Sequence, residues 1–172
     1  MIGSADAMEI AELKRRLDNL VQIGVIAEVQ PDVARAVARI GARVTQPLQW
    51  LTQRAGADKD WWAPSLGEQV LVLSPGGDPE QAVILPAIYS DANPAPSGDP
   101  ALRVVDLSGG LVLRCGAAQL TFDANGLHVV GPIRSTDEVA AGDIELTTHV
   151  HADVTPGAAQ TGEPEPASGA PL

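Results

Sequence analysis

Two histidines one residue apart, His149 and His151, are the residues whose type and spacing most readily do chemistry. In an extended strand, residues i and i+2 point to the same side, so the two imidazoles share one face. One chain then offers two nitrogen donors, which is a poor site by itself. Three chains around a three-fold axis would offer six, and six imidazoles suit an octahedral first-row ion such as iron or nickel better than tetrahedral zinc. The same spacing is what a solvated surface strand shows, so at this point both readings stand. Ile144 and Leu146 have the opposite parity to the histidines, and a bend or bulge near Thr147 and Thr148 is needed if both sets are to face inward. His128, the third histidine, lies in a strand bounded by glycine and reads as structural.

Other chemistry is sparse. A metal-dependent hydrolase could be built from His149, His151, His128 and Asp153, but it would need a pocket, an open coordination position and one metal per chain. No nucleophile–base motif, paired carboxylates or phosphate loop stands out. The single cysteine, Cys115, closes no intrachain disulfide and no zinc knuckle. A net charge of -11 with a pI near 4.5 opposes phosphate-backbone binding, so nucleic acid is not an expected partner. That charge is uneven: residues 1–60 hold eight basic and eight acidic side chains, whereas residues 61–172 hold three basic and fourteen acidic. Two segments with different surroundings are expected. No stretch approaches the roughly 18 uncharged apolar residues of a membrane span, and the sequence reads as soluble and unprocessed.

The elements that must position these residues are mainly β. Ile10, Leu13, Leu17 and Leu20 recur at spacings of three and four, which predicts an amphipathic helix over 6–20, with Asp6 and Glu9 resembling a capping box. Its narrow stripe suits docking on its own domain or on sister copies, since so short a helix is marginal alone. Strands are expected over 21–29, 34–44, 69–73 and 81–89, with Pro86 marking an edge or bulge in the last. Arg35, Arg39 and Arg43 recur every fourth residue and would share one solvated strand face. Trp50, Trp61 and Trp62 read as core or interface anchors. Residues 91–100 carry three prolines and few apolar groups, as a linker does.

Beyond the linker, Gly110, Gly126 and Gly142 fall sixteen residues apart and each opens a short apolar strand. Between the first two, residues 118–123 alternate, with Leu120 and Phe122 on one face and the turn Asn125-Gly126 following. So few short strands cannot bury a core alone. Several identical chains winding together, each covering the others' apolar faces, would solve the problem and remove open edges. Residues 154–172 have the composition of a disordered tail.

The stretch Trp61-Trp62-Ala63-Pro64-Ser65-Leu66-Gly67-Glu68-Gln69-Val70-Leu71-Val72, the strand Ile84-Leu85-Pro86-Ala87-Ile88-Tyr89-Ser90, and the closing His149-Val150-His151 before Pro- and Gly-rich sequence together resemble the baseplate assembly protein V family. These are the central tail spikes of contractile-tail bacteriophages and R-type pyocins. The resemblance implies an N-terminal helix (1–22), an OB-fold barrel (23–97), a trimeric intertwined β-helix (98–152), and a pointed tip apex with the C-terminal tail (153–172). It further implies one iron ion per homotrimer on the three-fold axis, held by His149 and His151 of each chain, with the tail partly folded around the apex. The implied partners are a baseplate hub protein at the N-terminal end and the target outer membrane, and the implied place is a tail-particle baseplate assembled in the bacterial cytoplasm. The role is structural, without catalysis, because a lysozyme domain such as some larger relatives carry has no room here. The alternatives to this reading are the hydrolase above and an OB-fold binding module.

Overall fold

The structure, a computed structural model, describes residues 4–142 together with 144 and 145. The chain divides into two compact units, one through Asp106 and one from Leu107 onward. The first opens with the helix α1 (Ser4–Leu20). Asp6 thus lies inside the first turn of that helix rather than ahead of it, so the expected capping box with Glu9 does not form in that way.

Strands β1 (Val21–Gln30), β2 (Arg35–Ile40), β3 (Arg43–Val44), β4 (Leu48–Trp50), β5 (Gln69–Leu73) and β6 (Val83–Ile88) form one sheet. Its order is β1-β5-β6-β4-β2-β3, and β1 also pairs with β2, so five strands close into a ring. That closed five-stranded ring is an OB-like barrel. Closure is made by the short strand β4, parallel to β6 through Gln49 with Val83 and Trp50 with Ile84, and antiparallel to β2. Alternation along the strands turns Ile26, Ala36, Ala38, Leu48, Val70, Val72 and Ile84 inward, and Ala82, just ahead of β6, joins them; Val29, Ile40 and Trp50 pack against this cluster. Gly24 belongs to the same inner layer, where a Cβ would lie 3.3 Å from Ile40 and 3.4 Å from Ala38.

Two sequence expectations differ here. The run 34–44 is not one strand: the chain turns at Gly41 (φ 58°), and Arg43 lands on β3 opposite Ile40. The three arginines therefore do not share one strand face. An isolated glycine in an apolar run can continue a strand or reverse it, and only the pairing of Arg39 with Val44 shows which. β4 was not foreseen either, because three residues behind Pro47 have no room to show a period. Pro86, by contrast, does mark a bulge: between the pairs Leu71–Leu85 and Gln69–Ile88, β6 carries one residue more than β5.

The second unit contains an antiparallel meander of β7 (Leu111–Cys115), β8 (Ala118–Asp123) and β9 (Gly126–Val130), followed by the small hairpin β10 (Ala140–Ala141) and β11 (Ile144–Glu145). Gly110 precedes β7 and Gly126 opens β9, both with positive φ, 124° and 113°. At Gly110 the backbone of β8 also comes close, since a Cβ would lie 2.8 Å from the Phe122 carbonyl oxygen. None of the described residues of this unit is buried.

Candidate functional site

The metal ligands expected from the sequence, His149 and His151, lie outside the described residues, as do Asp153 and the tail. Among the described residues no three His, Cys, Asp or Glu side chains converge on a point that could hold a metal. The features that can act among the described residues are instead exposed apolar surfaces, one of them on the meander.

Residues paired directly across antiparallel strands point to the same side. Leu111 pairs with Phe122 and Leu113 with Leu120 on one edge of β8, while Leu127 pairs with Phe122 and Val129 with Leu120 on the other. These six therefore form one continuous apolar face. The opposite face carries Val112, Arg114, Gln119, Thr121, His128 and Val130, tied by hydrogen bonds from Arg114 Nε to Gln119 Oε1 (2.9 Å) and from Gln119 Nε2 to Thr121 Oγ1 (2.9 Å). His128 thus stands on the polar side opposite Thr121. The division into faces is what a sheet shows when one side packs on a core. Yet among the described residues no core covers it: Phe122 is 53% exposed and Leu127 64%, with Leu120 and Val129 half-buried. Six apolar side chains in register on a solvent-facing sheet mark a contact surface rather than a catalytic one.

A second surface is on the first unit. Trp50 packs against the barrel core, and Trp61 meets it edge to face with ring centroids 5.3 Å apart. Trp61 and Trp62 remain 60% and 68% exposed, and Leu66 and Leu51 are exposed in the same connection. Of the expected anchors, Trp50 serves the core and the other two are available for an interface.

The third surface is the helix. α1 docks its last turn on the loop Ser74–Asp78: Ser74 N–H donates to the Leu20 carbonyl (2.9 Å), and Gly77, buried with φ 73°, lies against the backbone of Arg16. Its charges pair along the helix, Arg15 and Arg16 donating to Glu12 at 2.8 and 2.7 Å and Lys14 to Asp18 at 2.7 Å. The two guanidinium hydrogen bonds hold the Glu12 carboxyl well below the usual carboxylate range, at about 2. Ile10, Leu13 and Leu17 stay exposed. Sequence periodicity marked this stripe, whereas the uncovered meander face was visible only as alternation in β8.

Residues 22–89 match the family described as the type VI secretion system/phage-baseplate injector OB domain, which is the span of the barrel. The chain is also 38% identical over 141 residues to the spike protein of Escherichia phage P2, an alignment covering 82% of this chain and 64% of that protein. The OB-domain match assigns residues 22–89 to that injector OB-domain family, and over most of its length the chain is similar to a phage spike protein.

Proposed function

We propose that this chain is the central spike of a contractile tail, acting in the baseplate and piercing the outer membrane of the target cell when the sheath contracts. Three copies wind together from Leu107 onward into an intertwined β-helix, the barrel docks on a hub protein, and the work is mechanical rather than catalytic. The observation that supports this reading is the apolar face of β7, β8 and β9, built in register and largely exposed among the described residues. Three such faces turned toward a common axis would bury one another. Closure would also leave no strand edge free, and a driven spike must not fray or pair with other chains at such edges.

At the far end, His149 and His151 of each chain would supply the six imidazoles of one axial iron. The donor set fits such an ion in number and type, and a metal there would pin three chain ends together, because metal binding to chains is folding free energy. The acidic excess after residue 60 belongs to the exposed shaft in this reading, and the balanced N-terminal portion to the docking end. Solution mass measured together with metal content tests the proposal. A trimer holding one iron per three chains supports it, whereas a stable monomer, or one metal per chain, overturns it. Replacing both His149 and His151 by Ala should abolish the bound iron and leave the mass at three chains. Dissociation of that variant would mean that the tip, not the shaft, carries assembly.

A further inference from the structure

Besides the face of the meander, the structure carries an exposed apolar stripe on α1, near the start of the sequence. Ile10, Leu13, Leu17 and Leu20 follow the 3-4-3 spacing of a heptad seam, with Ile10 and Leu17 at a and Leu13 and Leu20 at d. Ile10 and Leu17 are 55% and 65% exposed. They are exposed because the helix fastens itself to its own barrel by its last turn, through Leu20, Arg16 and Gly77, and leaves the preceding two turns of the stripe bare. The apolar surface then continues past the helix end, where Val21 and Ile23 of β1 are also exposed.

The charges flanking the stripe point to its occupant. In the same heptad frame Glu9 falls at g and Lys14 at e, five residues later. In a parallel coiled coil a g residue faces the e residue of the following heptad on the neighbouring helix, so Glu9 of one copy meets Lys14 of another. The pattern is complementary to itself in the parallel orientation. Glu12, Arg15 and Arg16 make their ion pairs away from the a and d positions, at c, f and g, so assembly need not break them, whereas Lys14 would share or exchange its intrahelical partner Asp18 (2.7 Å) for Glu9 of the neighbour.

We propose that α1 is an N-terminal clamp: three copies of the helix pack in parallel through Ile10, Leu13 and Leu17, with Glu9–Lys14 pairs between neighbours setting the register. This rests on the trimeric spike reading, which supplies the parallel orientation and the tethering. A seam of two heptads is too short to hold alone, but chains already joined by the shaft meet at high effective concentration. The spike would then be fastened at both ends of each barrel-bearing chain, by helix at the start and by shaft beyond the linker.

The test uses the full-length chain with Cys115→Ser, so that no native thiol competes. Leu13→Cys at a d position should give covalent dimers on mild oxidation, since d layers of parallel helices bring equivalent residues within the roughly 4.4–6.8 Å between Cα atoms that a disulfide spans. Met8→Cys, at the outward f position, should not. Glu9→Lys added to Leu13→Cys should lower the cross-linked yield about tenfold, three exposed ion pairs turning repulsive together, and further addition of Lys14→Glu should restore it. A trimer by mass with no cross-link at position 13, or equal cross-linking at positions 8 and 13, overturns the clamp and leaves the spike reading intact. A monomer by mass overturns both.

Discussion

At the scale of single residues, the most informative positions are those where the chain needs a backbone that only glycine adopts cheaply. Gly76 and Gly77 are adjacent and both have positive φ, 63° and 73°, but they differ in surroundings. A Cβ on Gly76 meets nothing within 4 Å, whereas one on Gly77 would run into the Arg16 backbone, with the Arg16 carbonyl carbon 2.8 Å away. Gly76→Ala should therefore cost only the left-handed conformation, about 1–2 kcal/mol. Gly77→Ala adds a backbone clash that no rotamer relieves, and should cost about 3 kcal/mol or more while releasing the last turn of α1 from the barrel. Denaturant midpoints followed by tryptophan fluorescence, with amide exchange over residues 4–20, check both; equal losses at the two sites would mean that the helix is not seated on Gly77. The histidines illustrate the opposite case. Their spacing suggests a shared face if they lie on a strand, but they fall outside the described residues, and a site completed by several chains is not a property of one sequence.

At the scale of elements, legibility followed length and locality. β5 was readable because five residues alternate inward and outward between turn signals, and β6 because its bulge is announced by Pro86. β4 was not, although it closes the barrel: Leu48 is among the most buried side chains, yet what makes Leu48–Trp50 a strand is pairing with β6 more than thirty residues away. The helix was legible in its stripe, and the structure adds its electrostatics. Glu12 is ionised down to about pH 2 because Arg15 and Arg16 hydrogen-bond its carboxylate, against an ordinary value of 4.5. A carboxyl depressed on folding contributes stability that is fully present above its unfolded value and is lost as pH falls toward the folded one. Helical signal from residues 4–20 should therefore be constant from pH 7 to about 4.5 and decline between about 4.5 and 2. Glu12→Gln should remove that decline and bring no change in the barrel. Since the side chain remains open to solvent, at 42% exposure, added salt should shrink the effect. A decline of equal size in Glu12→Gln would assign it to other carboxylates.

At the scale of the whole molecule, the two units differ in where their cores come from, and that difference can be read in solution. The barrel encloses Leu48, Val70, Val72 and Ile84 within one chain, so its stability depends on that chain alone. Residues 107–142 include no buried residue and carry an exposed apolar face, so in the proposed trimer the order of this unit would depend on association. Sequence supplies the probes. All three tryptophans, Trp50, Trp61 and Trp62, lie in the first unit, so tryptophan fluorescence follows the barrel, while far-UV circular dichroism sees the strands of both. Unfolding should show a fluorescence transition whose midpoint is the same at all protein concentrations. If the chain forms the proposed trimer, the dichroism should contain a further transition that the fluorescence lacks, moving to higher denaturant as concentration rises, because dissociation accompanies melting of the shaft. On that proposal the barrel transition should come first, since a small core of aliphatic side chains, several of them alanines, would be weaker than a shaft whose strand faces are shared among chains. A single transition, coincident by both probes and independent of concentration, would mean that the meander finds its cover within its own chain.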